Sequence, residues 1–149
     1  MDTTLAHLVS AAEAGSWCPE LRLVAGNTLF IGTPAPPSEF LEATEYGIGE
    51  DYFNRKHPTK KTQDAIRAEA VDYAGRSMAT LRQLSLEDAG NAMTLTDAQI
   101  WPASGGDGVR VPAVRVPLDA IDGWWIGGGQ RLRSGGGWFF GAIIPIEGP

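Results

Sequence analysis

The chain has 149 residues, of which 43% are hydrophobic and 20% are charged, and its formal net charge is −6. This length and composition are typical of one soluble globular domain that buries a core without disulfide or metal support. The acidic balance disfavours nucleic acid as a general partner, because binding to phosphates requires a basic surface.

The chain also lacks the marks of secretion and of a membrane. Cys18 is the one cysteine, so an intramolecular disulfide is excluded. The first residues have neither the basic nor the long apolar segment of a secretory signal, and no apolar run reaches the roughly 18 residues that cross a bilayer. We therefore predict a cytoplasmic location and no membrane association.

The first third predicts a helix followed by a β-hairpin. Apolar residues recur at helical spacing near the start, at Leu5, Leu8, Val9 and Ala12. Thr3 or Thr4 is the candidate N-cap, and Gly15 ends the helix. Two strands follow, joined by a turn at Gly26 and Asn27, and the prolines of 34–37 end the second strand.

Residues 38–90 predict a helical insertion between this hairpin and later strands. Its first part has helix-forming composition that Gly47 and Gly49 are expected to break, and a basic loop follows. A long helix then begins after Thr62, and its expected apolar face consists of Ile66, Ala70, Tyr73, Ala74, Ser77, Met78, Leu81 and Leu84.

The last third predicts β-structure rich in aromatic residues. Alternating apolar residues indicate strands over 93–100, 109–111 and 113–118, and further strands around Trp124 and over 138–147. The glycines of "GGGQRLRSGGG" lie between two strands, without the lysine and the following helix of a phosphate loop, so this segment predicts a hairpin tip.

The order of short helix, two glycine-marked strands and a late strand resembles the Sm-like small barrels, a branch of the SH3-like barrels. Gly26 and Gly32 take the place of the first-motif glycines, and "VRVPLDAID" takes the place of the last motif. The resemblance implies a bent five-stranded barrel and ring-like self-association. RNA binding is not carried over, because "PAPPSEFLEAT" lacks the aspartate and asparagine of the family and Pro117 replaces its Arg-Gly.

We therefore predict an α+β fold in a single domain over residues 1–149. Its centre is a small, strongly bent antiparallel β-barrel of five to six strands, SH3-like or Sm-like, with a short N-terminal helix and the helical insertion of 38–90.

Three groups of residues are candidates for binding. The first is aromatic, because neighbouring aromatic residues on a strand point to opposite faces and one of each pair is then left outside the core. The second is the pair of arginines in the glycine-rich loop, and the third is the basic loop of the insertion. The predicted binding residues are Trp124, Trp125, Arg131, Arg133, Trp138 and Phe140, and the basic loop consists of Arg55, Lys56, His57, Lys60 and Lys61.

No catalytic, metal or cofactor site is predicted. Cys18 could pair with His7 or His57 as nucleophile and base, but a lone cysteine in apolar company more often packs as a small hydrophobic residue. Two histidines fifty residues apart form no ligand set. The leading hypothesis is a non-enzymatic binding or assembly module that forms a homo-oligomer or docks a protein partner through its aromatic C-terminal sheet. The aromatic face is covered either by the helix over 65–84 or by another chain.

The alternative hypothesis is a small-molecule or nucleotide-binding protein. In that case Arg131 and Arg133 neutralise a small anionic ligand, and Trp124 or Trp125 stacks on it.

Overall fold

The structure is a computed structural model that describes residues 2–83 and 91–129. It has a mixed α+β fold, as predicted. Its elements in chain order are α1 (Thr3–Glu13), β1 (Leu21–Ala25), β2 (Thr28–Ala35), α2 (Pro37–Arg55), α3 (Gln63–Gln83), β3 (Ala92–Pro102), β4 (Val109–Pro117), a 3₁₀ turn (Leu118–Ala120) and β5 (Ile121–Trp125).

The five strands form one antiparallel sheet in the order β4-β3-β2-β1-β5. Register shifts bend β1 between Val24 and Ala25 and bend β2 between Ile31 and Thr33. Within the described residues no pairing joins β4 to β5, so this sheet is not closed into a barrel. In the chain, helices α2 and α3 come between β2 and β3, and they occupy the region where the helical insertion of 38–90 was predicted.

The main core lies between α1 and one face of the sheet. Opposite partners across the strands share a face, which places Leu23 of β1 beside Phe30 of β2 and Trp124 of β5. The buried members of this core are Leu5, Val9, Leu21, Leu23, Met93, Leu95, Ala98, Val116 and Leu118. The amphipathic pattern predicted for α1 is therefore the face that covers the sheet.

The N-cap of α1 differs from the prediction. Asp2 is the cap, because its Oδ1 accepts hydrogen bonds from the amides of Thr4 and Leu5 at 2.8 and 3.2 Å. Thr3 and Thr4 lie inside the first turn instead. The helix ends at Glu13, and Gly15 has a φ of 77°, in agreement with the predicted stop.

The prolines of 34–37 end β2 as predicted, since β2 ends at Ala35 and Pro36 is the N-cap of α2, but Pro34 and Pro112 each lie inside a strand. Pro34 pairs with Leu95 inside β2, beyond Gly32, which is the last partner of β1 on that strand. Pro112 lies inside β4, so that the two predicted stretches form one strand, Val109–Pro117. At each of these two positions the strand has a neighbouring strand on one side only in the described sheet. A missing amide hydrogen is tolerated at such a position.

Helix α2 is continuous, and the predicted break at Gly47 and Gly49 is wrong. Both glycines serve close packing. A Cβ on Gly47 would lie 2.6 Å from Cγ of Pro112 on β4, and Gly49 faces the carbonyl oxygen of Ala70 and the Cβ of Ala74 on α3. Tertiary contact therefore overrides the low helix propensity of glycine here.

Helix α3 buries a narrower face than the sequence predicted. Ala70, Ala74 and Met78 are buried against α2. Tyr73, Ser77 and Leu81 were expected on the same face but are exposed, because α2 is the main packing partner of α3. One neighbouring helix covers a stripe with four-residue spacing and leaves the flanking positions in solvent.

Candidate binding surface on the helical hairpin

Helices α2 and α3 form an antiparallel hairpin that stands on the β4 side of the sheet. Glu45 of α2 pairs with Arg82 of α3, whereas Tyr52, further along α2, donates a hydrogen bond to Glu69 at 3.2 Å. Tyr52 also stacks on Tyr73, with ring centroids 4.9 Å apart. These contacts along the hairpin hold α3 against α2.

A shallow groove of about 210 Å³ runs between the two helices on their outer side. We call it the hairpin groove. Its lining residues are Glu45, Tyr46, Gly49, Glu50, Arg67, Ala70, Val71 and Ala74. The small residues at 49, 70 and 74 bring the two backbones together and form the floor, and longer side chains form the walls.

Two large apolar side chains of the hairpin groove are exposed to solvent. Tyr46 retains 69% of its accessible surface and Val71 retains 66%, although each stands beside a buried stripe of its helix. Exposed apolar residues scattered singly need no explanation, but two on one groove with a polar rim resemble the surface of a binding site.

Charged side chains form the rim of this groove and are held in place. Arg67 donates to the Glu50 carboxylate at 2.5 Å. The same guanidinium lies over the ring of Phe53, 3.6 Å from its centroid. A cation over an aromatic face gains a further electrostatic attraction. The rim is therefore ordered before any partner arrives, which lowers the entropy cost of binding.

The predicted basic loop is the tip of this hairpin. Arg55, Lys56, His57, Lys60 and Lys61 are all exposed there. Arg55 pairs with Asp51, and the Lys56 ammonium lies 5.2 Å from the ring centroid of Tyr52. Within the described residues no ion pair holds Lys60 or Lys61, so these two charges face solvent.

The aromatic pair of β5 lies on opposite faces of the sheet, as the alternation predicts. Trp124 packs against the main core, and its indole Nε1 donates to Asp2 Oδ2 at 3.1 Å. Trp125 lies on the other face, opposite Arg22 of β1, and is half-buried. Both tryptophans therefore have a large part of their surface inside the protein.

The helix over 65–84 is not the cover for this pair that the sequence suggested. Helix α3 packs on α2, and α2 contacts β3 and β4. These two strands are at one edge of the sheet, and β5 is at the other edge. Trp124 packs instead against the main core, which includes Leu5 and Val9 of α1. Arg131, Arg133, Trp138 and Phe140, as well as Phe139 and the predicted last strand, lie outside the described residues.

A cavity of about 320 Å³ adjoins Trp124 and is lined by Asp2, Leu5, Leu118, Ile121, Asp122 and Gly123. Both carboxylates accept hydrogen bonds from the protein, Asp2 at the start of α1 and Asp122 from the amide of Gly26 at 2.8 Å. The hydrogen bond from Trp124 is the main cause that lowers the pKa of Asp2, followed by those from the Leu5 and Thr4 amides. Two carboxylates make this cavity unfavourable for a phosphate.

The remaining chemical candidates are Cys18, His7 and His57. Cys18 is buried, its Sγ donates weakly to the Ser16 carbonyl at 3.6 Å, and burial raises the pKa of the thiol. His7 and His57 are both exposed. In residues 2–83 and 91–129 no three metal-binding side chains come together.

None of the described helices has both the length and the apolar character that a membrane span requires.

Comparison with protein-family models, with curated proteins and with solved structures finds no match to this chain. The hairpin groove therefore has to be interpreted from its own geometry. The sequence did not predict this groove, because Tyr46 belongs to a segment expected to break and Val71 lies off the predicted apolar face. The signal was present in the glycine at 49 and the alanines at 70 and 74, whose spacing marks a close helix contact.

Proposed function

We propose that the protein is a non-enzymatic assembly module that self-associates, and that the hairpin groove is its contact surface. The observation that carries the proposal is the exposure of Tyr46 and Val71 on one groove whose charged rim is already ordered. Aromatic anchors in small apolar depressions, surrounded by polar side chains, are the usual centres of protein–protein contacts.

The shape of the groove supports a protein chain as occupant. The groove is open and shallow, and small-molecule sites usually enclose most of their ligand. A helix or side chain from another chain can pack on Tyr46 and Val71 and remove both from water. At about 25 cal/mol per Å² of apolar surface, covering such residues on two chains favours association.

Sedimentation velocity over a wide concentration range tests this proposal. The wild type is expected to associate as its concentration rises, and Tyr46→Ser is expected to weaken that association. Trp17→Ser is the matched control, because Trp17 is 87% exposed but lies outside the hairpin, between α1 and β1. A wild type that stays monomeric at all concentrations, or equal effects of the two variants, would contradict the proposal.

We propose the edge of the sheet at β5, which carries Trp124 and Trp125, as a second contact surface for self-association or for a protein partner. Trp125 is proposed to contact a partner there, and the predicted binding residues Trp138 and Phe140 are proposed to take part in the same contact. The return of β5 to β1 and the bulges in β1 and β2 support a curled sheet, and we propose that the complete chain forms the small barrel that the Sm-like resemblance implies.

Ligand binding through Arg131 and Arg133 is the alternative function, with Trp124 or Trp125 as the stacking surface. The carboxylates of Asp2 and Asp122 favour Trp125 over Trp124 for an anionic ligand. Titration of nucleotides against the wild type and against Arg131→Ala with Arg133→Ala, followed by thermal shift, tests this alternative. Equal behaviour of both proteins would remove its support.

A further inference from the structure

The charges of the helical hairpin are separated along its length. Glu39 and Glu42 lie in the first turns of α2 and are exposed, whereas Lys60 and Lys61 are exposed at the opposite end, in the tip loop. Among the described residues no ion pair neutralises any of these four side chains. One end of the hairpin is thus acidic and the other is basic.

The exposed apolar residues lie between these two ends. Tyr46 is the central residue of α2, nine positions from Pro37 and nine from Arg55. It follows Glu42 by four residues and Glu39 by seven, so these three side chains share one face of the helix. Val71 stands across the hairpin groove from Tyr46, on α3.

From this arrangement we infer that the occupant of the hairpin groove is the hairpin of a second copy, packed antiparallel about a two-fold axis near Tyr46. A two-fold axis at the centre of α2 places position 46 + n of one chain opposite position 46 − n of the other. Arg55 at the end of α2 then lies opposite Pro37 of the second copy, so the basic tip that follows Arg55 lies beside the acidic start of α2 on that copy, and Tyr46 and Val71 of both copies meet at the centre.

Charge complementarity selects this orientation among the possible ones. A parallel pairing would bring the two basic tips together and the two acidic ends together, and like charges face to face oppose association. The antiparallel pairing forms two equivalent attractive contacts. It also gives a closed dimer, because the same surface is used by both copies. Salt is expected to weaken this dimer, since its charges are exposed at the rim.

This inference rests on the proposed self-association, and a charge-exchange experiment separates the two. The first variant carries Glu39→Lys with Glu42→Lys, and the second carries Lys60→Glu with Lys61→Glu. All four positions are exposed, so folding is expected to be unchanged, as circular dichroism can verify. Each variant alone is expected to raise the dissociation constant of the dimer by at least about tenfold.

An equimolar mixture of the two variants is the decisive sample. In the mixed pair both contacts again join opposite charges, so sedimentation is expected to show a heterodimer with an affinity near that of the wild type. Asp107→Lys with Asp119→Lys is the matched control, since it changes the net charge as much as the first variant but at exposed positions outside the hairpin. This control is expected to dimerise like the wild type.

The other outcomes contradict the arrangement or the function in distinguishable ways. If the wild type associates and the variants behave like it, or if the mixture shows no rescue, the antiparallel arrangement is wrong and self-association stands. A control that weakens association as much as the first variant also overturns the arrangement, because net charge then explains the effect. A wild type that remains monomeric overturns both proposals.

Discussion

The indole nitrogen of Trp124 donates a hydrogen bond of 3.1 Å to the carboxylate of Asp2, 122 residues away in the sequence. The same carboxylate caps α1 through the amides of Thr4 and Leu5. One side chain therefore joins the start of the first helix to the last described strand. We interpret Trp124 as a residue that fixes α1 over the core, in addition to any contact it makes with a partner.

The first prediction concerns the stability that this contact provides. Asp2→Ala removes the cap and the acceptor for Trp124 together, so a fall of a few degrees in the midpoint of thermal unfolding is expected. Asp2→Asn keeps the oxygen that caps α1 but places an NH2 group opposite the indole N–H, so it is expected to retain the cap and to lose the hydrogen bond from Trp124. Trp124→Phe keeps the ring but removes its donor.

A double-mutant cycle between Asp2→Ala and Trp124→Phe measures the coupling directly. Less than additive destabilisation is expected, because either change alone breaks the contact. Strict additivity would show that the two side chains act independently and that the hydrogen bond contributes nothing measurable.

The second prediction is a pH dependence with a defined sign. The pKa of Asp2 is lowered in the folded protein, first by Trp124 and then by the two amides. The carboxylate therefore contributes stability that is complete above the ordinary aspartate pKa of about 4 and is lost as the pH falls through the lower, folded-state value. Unfolding by urea between pH 7 and pH 2 is the measurement.

The neutral Asp2→Asn variant is the control for this profile. Its stability is expected to fall less than that of the wild type below about pH 4, while both share the titration of all other carboxylates. Parallel profiles for the two proteins would contradict a lowered pKa at Asp2.

The sequence predicts correctly those helices and strands whose ends are set by residues close by in the chain. The first hairpin, α1 and most of β3 have the bounds expected from their turns and their apolar alternation. These signals are local, because a Gly26–Asn27 turn or a stop at Gly15 acts within a few residues.

The errors arise where a distant contact decides the local structure. Gly47 is compatible with a helix because Pro112 occupies the space of a side chain, and Pro34 is tolerated in β2 because β1 has already ended. The cap at Asp2 was missed although its residue type is suitable, since a threonine next to it has the same signal. The hairpin groove depends on how α2 meets α3, and no periodicity in one helix contains that information.

The third prediction concerns the buried thiol of Cys18. Its pKa is raised by burial, so the reactive thiolate is scarce in the folded protein at neutral pH. Reaction with an aromatic disulfide reagent is expected to be at least about tenfold slower in the native protein than in the denatured one. A variant with Ser16→Cys and Cys18→Ser moves the thiol to an exposed position two residues away and is expected to react rapidly when folded. Equal rates at both positions would show that Cys18 is accessible.

The fourth prediction compares two glycines of α2 that are two residues apart. A Cβ at Gly47 would lie 2.6 Å from Cγ of Pro112, so Gly47→Ala is expected to destabilise the protein by about 1 to 3 kcal/mol through overpacking. The nearest atoms to a Cβ at Gly49 are 3.7 and 3.8 Å away, which is ordinary contact. Gly49→Ala is therefore expected to be neutral or to stabilise by up to about 1 kcal/mol through helix propensity.

Removal of the Pro112 ring tests whether its clash with a Cβ at position 47 causes the loss of stability in Gly47→Ala. Pro112→Ala clears the space above α2, so the double variant Gly47→Ala with Pro112→Ala is expected to recover part of the stability that Gly47→Ala loses. Urea unfolding of the four proteins gives the coupling free energy. If Gly47→Ala were as stable as Gly49→Ala, or if the loss persisted unchanged without Pro112, α2 would not rest on β4 at this point, and the placement of the hairpin groove relative to the sheet would have to be revised.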